Sequence, residues 1–144
     1  QSITVLYRSN QMTLEPESEP LEAAIRRAGE MGVRVLVEGK LPRSQKLRAL
    51  AALAIRECTA NCVRHAGGTE LYVQLWQERG CTDMFLSNNG APPKGEITEG
   101  GGLSMLRLRV EEAGGSMEIR SSPDFKLMLS LPEKEETAHE SDDR

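Results

Sequence analysis

Apolar residues recur at two different periods along the chain. Leu21, Ala24, Ile25 and Ala28 follow three- and four-residue spacing, the stripe of an amphipathic helix. Pro20 suits the first turn of that helix, and Gly32 sits just past its end. Val33, Val35 and Val37 then alternate, which predicts a half-buried strand. The longest helical pattern covers residues 44–66. Leu47, Leu50, Ala51, Ala54, Cys58 and Cys62 form a wide apolar stripe there, with Ser44 as its N-cap and Gly67-Gly68 as its end. Residues 69–77 and 82–88 alternate as two strands paired about a Glu78-Arg79-Gly80 turn. Residues 89–102 have no period, two prolines and five glycines, and are expected to form a loop. Leu103, Leu106, Val110 and Ala113 predict a helix over 103–113, stopped by Gly114-Gly115. Strands at 116–121 and 125–131 come next, joined by Ser122-Pro123-Asp124. Hairpins make such a sheet largely antiparallel. Three helices on one face of it give a two-layer α/β sandwich.

The flanks differ from this folded middle. Residues 1–20 turn polar and acidic toward Pro16 and Pro20, and are expected to be a linker or the end of an upstream helical element. Residues 21–132 are the expected domain, a length that suits one core. Residues 133–144 hold six acids and two bases, and are expected to be disordered. That tail changes the reading of the charge. The chain has 18 Lys+Arg against 22 Asp+Glu, and the tail accounts for the whole excess, so the core is neutral. A neutral core with 3% aromatics does not suggest a nucleic-acid binder. No apolar run approaches the ~20 residues of a membrane span. The N-terminus QSITVLYRSNQ lacks the charged start and apolar middle of a signal peptide and reads as the cut edge of a longer protein. The three cysteines are an odd number, which points to free thiols and a cytoplasmic location.

Three segments carry candidate chemistry. In 57–65, E-C-T-A-N-C-V-R-H, the residues Glu57, Asn61 and His65 recur every four positions and share one flank of the helix beside its apolar stripe. A polar helix face is the bland alternative. In S-N-N-G-A-P-P, residues 87–93, Asn88 ends a strand and Gly90 permits backbone conformations closed to other residues. An ordinary turn would look the same. In G-G-G-L-S-M-L-R, residues 100–107, three glycines run into a helix start, where free N–H groups favour an anion. No Lys-Ser/Thr comes after them to make a Walker A loop. Cys58, Cys62 and His65 have spacing that one zinc ion could use, but both cysteines fall on the apolar stripe, and buried thiols are the better reading.

Taken in order, E-x-x-x-N-x-x-x-H-A, a strand ending N-x-G-x-P, and G-x-G-L opening a helix resemble the N, G1 and G2 boxes of the GHKL ATPase superfamily. The segment GGGLSMLRLRVEEAGGSMEIRSSPDFKLMLSLP is similar to bacterial sensor histidine kinases. The resemblance covers residues 21–132. It implies the Bergerat ATP-binding fold, with ATP and Mg²⁺ as cofactors.

The resemblance implies roles residue by residue. Asn61 would coordinate Mg²⁺, and Glu57 would activate the attacking group or place a water. Arg64 and His65 would lie near the phosphates. Gly100, Gly102 and Leu103 would wrap the triphosphate. Residues 91–99 would be a short lid, expected to be mobile together with 100–102 in the empty protein. Asn88 and Gly90 match the adenine-binding box, with Asn88 where the family has an aspartate. An aspartate in place of Asn88 would then be expected to bind at least as well, since a charged acceptor makes the stronger bond. The family's phosphoacceptor histidine lies on an upstream dimerisation hairpin, and nothing before residue 21 matches it. The implied protein is the catalytic domain of a two-component kinase, monomeric as this fragment, with a dimeric and membrane-anchored parent allowed and a response regulator downstream. Alternatives are a stand-alone anti-sigma-type serine kinase and a degenerate module that signals by contact.

Overall fold

The computed structural model describes residues 20–95 and 101–133. The linker reading of 1–19, the lid positions 96–99, Gly100 and the tail 134–144 lie outside the described residues. Helix α1, Pro20–Glu30, buries Leu21, Ala24, Ile25 and Ala28, the four positions its period picks out. Strand β1, Arg34–Gly39, comes after it. Helix α2, Gln45–Asn61, starts where expected: the Ser44 hydroxyl accepts a hydrogen bond from the Leu47 N–H at 3.1 Å, which satisfies one of the first-turn donors. Strands β2, Glu70–Glu78, and β3, Cys81–Asn88, come next. Helix α3, Gly101–Glu112, and strands β4, Ser116–Arg120, and β5, Lys126–Pro132, complete the described chain.

The described strands form one mixed sheet in the order β1-β2-β3-β5-β4. Only β1 and β2 run parallel; the other neighbours are antiparallel. The register puts Val35 beside Leu71, Val73 beside Leu86, and Leu86 beside Leu127. All of these are buried, while their chain neighbours on the opposite parity are half-buried or exposed. One sheet face therefore meets the buried stripes of α1, α2 and α3, and the two-layer α/β sandwich expected from the pattern is present.

Three boundaries differ from the sequence reading. The β2–β3 connection is a two-residue turn, because Glu78 already pairs with Cys81. Arg79 and Gly80 take φ of 55° and 79°, the left-handed pair that matches the twist of a tight hairpin. The long helix is not α-helical to residue 66. It widens at Cys62–Ala66 into a π-helical turn, closed by the Gly67 N–H on the Cys62 carbonyl with Gly67 at φ 62°. Helix α3 begins at Gly101, two residues before the apolar period starts, because a first-turn residue needs no buried side chain. Gly101 and Gly102 are thus helical, and not part of the loop expected over 89–102.

The cysteines conform to the apolar reading. Cys58 and Cys62 have no exposed surface, and burial is the main force pushing both thiols above their ordinary pKa; for Cys58 the neighbouring Glu57 charge adds to it. A thiol reagent acts on the thiolate. The folded chain is therefore expected to react at half-buried Cys81 and to release its remaining two thiols only on unfolding. Fast reaction of all three without denaturant would contradict the burial of the α2 pair.

Candidate functional site

The end of α2 and the end of β3 meet, and backbone contacts lock them together. The Ala91 N–H donates to the Ala66 carbonyl at 2.9 Å, and the Asn89 N–H to the Glu70 carbonyl at 3.2 Å. Asn89 adds a side-chain clamp. Its Oδ1 accepts from the Thr69 N–H at 2.8 Å and the Glu70 N–H at 2.9 Å, and its Nδ2 donates to Thr69 Oγ1 at 3.2 Å. Gly90 sits within this junction at φ 102°, with its Cα turned to the Ala66 carbonyl.

A cavity of about 570 Å³ opens beside the junction, within the range of small-molecule sites. It is lined by Asn61, Arg64, His65 and Ala66 from the helix end, by Asn88, Ala91, Pro93, Lys94 and Gly95 from the end of β3 and the segment after it, and by Phe125. Four of the residues singled out in the sequence, Asn61, Arg64, His65 and Asn88, thus share one cavity. The π-helical turn carries two of them, Arg64 and His65; such turns recur where a helix serves a site. Arg64 and Lys94 give the wall positive charge, His65 adds a ring donor, and no carboxylate among the described residues lines it.

Two polar side chains of the wall differ in their pairing. The Asn88 Nδ2 donates to the Asn89 carbonyl at 2.6 Å, so its amide nitrogen is engaged by the protein's own backbone and Oδ1 is left as an acceptor. The Asn61 Nδ2 is buried with no hydrogen-bond partner among the described residues. A buried polar atom without a partner costs stability unless a ligand or water uses the group.

The other sequence candidates lie elsewhere. Glu57, Gly90, Gly102 and Leu103 are not part of the cavity wall. Glu57 is half-buried with its carboxylate against Gly102, and Leu103 belongs to the hydrophobic core. The sequence reading missed Asn89, Lys94 and Phe125. Asn89 had a signal in the Asn-Asn-Gly triplet, since Asn side chains pair readily with nearby backbone. Lys94 stands in an aperiodic stretch, and Phe125 comes after a turn with no spacing to mark it.

No family model matches the chain. A curated relative, the signal transduction histidine-protein kinase/phosphatase UhpB of Salmonella typhimurium, is 27% identical over 92 residues, which is 63% of this chain and 18% of the relative. The chain thus spans about a fifth of that protein. Among solved structures, the ATP-binding domain of PrrB from Mycobacterium tuberculosis aligns with a TM-score of 0.58 and 23% identity, covering 79% of this chain and 91% of that one. The blue-light activated histidine kinase EL346 of Erythrobacter litoralis aligns with a TM-score of 0.62 and 16% identity, over 84% of this chain and 42% of that one. The histidine kinase AdeS of Acinetobacter baumannii aligns with a TM-score of 0.58 and 12% identity over 81% of this chain and 62% of that one. A five-stranded mixed sheet under three helices is the fold this chain shares with the ATP-binding domains of histidine kinases.

Proposed function

We propose that the chain is the ATP-binding catalytic domain of a sensor histidine kinase, which supplies the γ-phosphoryl group to a histidine on a dimerisation hairpin outside this chain. The observation that carries this reading is the cavity itself: Asn61, Arg64, His65 and Lys94 converge on it, and no acid among the described residues lines it. A polyanion is the ligand that such a wall attracts. Arg64, His65 and Lys94 would hold the phosphates, and the Asn88 Oδ1 would accept a hydrogen bond from the exocyclic amine of adenine.

The residues present fit Mg²⁺. That ion keeps most of its ligands from phosphates and water and needs only one or two protein oxygens. Asn61 lines the cavity, and its side-chain amide carries an oxygen of the kind that ion accepts. Mg²⁺ would supply charge neutralisation between the phosphates. Glu57 lies one turn before Asn61 on α2, and its carboxylate could accept the proton of an incoming nucleophile. The response regulator that would receive the phosphoryl group, and the dimeric parent, belong to the same proposal. No helix among the described residues is long and apolar enough to cross a membrane.

The test is a calorimetric titration of the chain with ATP and with GTP, each with Mg²⁺ and with EDTA. The reading expects ATP to bind, GTP to bind more weakly, and Mg²⁺ to strengthen the ATP complex. No heat with ATP in Mg²⁺ would reject it.

Residue 88 offers a sharper check. Against the expectation that an aspartate serves there as well as Asn88 stands the neighbouring carbonyl. In Asn88→Asp, a carboxylate oxygen would face the Asn89 carbonyl where the amide now donates at 2.6 Å. An attractive hydrogen bond becomes an acceptor–acceptor contact, and the side chain must turn. ATP affinity is expected to fall by about 1 kcal/mol, roughly fivefold, the usual worth of one such bond. Equal or tighter ATP binding by the variant would show that the Asn89 carbonyl does not set the side chain.

A further inference from the structure

Glu57 and Gly102 are far apart in the sequence and touch in the fold. A methyl group added to Gly102 would overlap Oε1 and Cδ of Glu57 and come within 2.8 Å of its Oε2. The carboxylate therefore rests directly on the bare Cα of the second residue of α3. The neighbouring glycine makes the contrast: a methyl group on Gly101 would meet nothing within 4 Å among the described residues. Glycine inside a helix costs stability relative to alanine, through its larger loss of freedom on folding. Among the described residues nothing crowds Gly101, whereas Glu57 crowds Gly102.

We infer that Gly102 is a positioning residue for Glu57. Its lack of a side chain seats the Glu57 carboxylate between α2 and the first turn of α3. The sequence resemblance gives this glycine another task, letting phosphates approach the backbone; its contact with the Glu57 carboxylate is a separate one. The seat also makes chemical sense. The first N–H groups of a helix have no partners within it, and a carboxylate is favoured near them. The consequence is mechanical. Glu57 projects from the helix that carries Asn61 and leads into Arg64 and His65, and Gly102 lies in the first turn of the helix that ends the glycine-rich stretch. Any shift of the α3 start relative to α2 must move the Glu57 carboxylate with it. That this carboxylate serves phosphoryl transfer rests on the function proposed above; the contact itself does not.

The experiment compares Gly101→Ala and Gly102→Ala in the present chain, and Gly102→Ala again beside Glu57→Ala and beside Glu57→Asp. Thermal midpoints and the carboxyl ¹³C resonance of Glu57 are measured. Gly101→Ala is expected to keep or raise the midpoint and to leave the resonance in place. Gly102→Ala is expected to move the resonance, because the methyl displaces the carboxylate, and to gain less in midpoint than Gly101→Ala, since the end of a flexible side chain gives way at small cost. Beside Glu57→Ala, the same substitution should match Gly101→Ala, since only the gain in helix propensity remains. Beside Glu57→Asp, one methylene shorter, most of the difference should vanish. A glycine that did not touch Glu57 would not make its substitution depend on residue 57. If Gly102→Ala behaves like Gly101→Ala in both measurements, the positioning role is wrong. Failure of the wild-type chain to bind ATP would instead remove the nucleotide reading and leave this contact standing.

Discussion

Asn61→Ala is expected to erase the Mg²⁺-dependent part of ATP binding while leaving the fold sound. The two halves of that outcome have separate causes. Asn61 lines the cavity, and its amide supplies an uncharged oxygen donor suited to a hard cation. Alanine removes that oxygen. Affinity measured in Mg²⁺ should fall about tenfold or more, about 1.4 kcal/mol, toward the value measured in EDTA. Stability should not fall with it. The Asn61 Nδ2 is buried and unpaired among the described residues, and deleting an unsatisfied buried group removes a cost rather than a bond. The thermal midpoint of the empty protein is therefore expected to hold or rise. Titrations of both proteins with ATP, with and without Mg²⁺, decide the assignment: equal Mg²⁺ dependence in the two would reject it. A lower midpoint in the variant would show that the amide is already satisfied in the empty chain.

Gly90→Ala is expected to damage the junction beside the cavity. The residue sits at φ 102°, and the added methyl would lie 2.6 Å from the Ala66 carbonyl oxygen and 3.0 Å from the Gly68 Cα. Both are backbone atoms held by the junction, so neither can swing aside as a side-chain tip would. Forced left-handed geometry together with a backbone clash should cost about 2–4 kcal/mol of stability, read as a lower midpoint in urea unfolding. The damage should reach the ligand as well. The Ala91 N–H bond to the Ala66 carbonyl fixes Asn88 relative to the π-helical turn, so the surviving folded protein should bind ATP more weakly. A variant within about 0.5 kcal/mol of wild type, the ordinary range for surface changes, would mean that this junction yields easily.

The contrast between these two residues shows what a sequence can and cannot express. Asn61 is legible by spacing, since a polar residue every fourth position beside an apolar stripe marks one flank of one helix. Its unpaired nitrogen is not, because that depends on which atoms other segments bring near. Gly90 is legible as a turn former, and its positive φ agrees. Its close approach to Ala66 is not, because the two residues belong to different elements. Residue 88 is ambiguous in the sequence for a related reason. Charge alone favours an aspartate, but the carbonyl that receives the Asn88 amide belongs to Asn89, and its direction is set by the clamp on Thr69 and Glu70.

Local pattern thus determined the elements of this protein: the α1 and α2 stripes, the Ser44 cap, the alternating strands and the two-layer arrangement they require. These come from backbone periodicity and from the need to bury one face of each element, and both are written in neighbouring residues. Tertiary structure decided the site. It widened the turn that continues α2, brought Arg64, His65 and Asn88 to one cavity, added Lys94 and Phe125 to its wall, and left Glu57 outside it against Gly102. Each of those outcomes depends on contacts between segments far apart in the chain, and no periodicity within a single segment encodes where another segment will end.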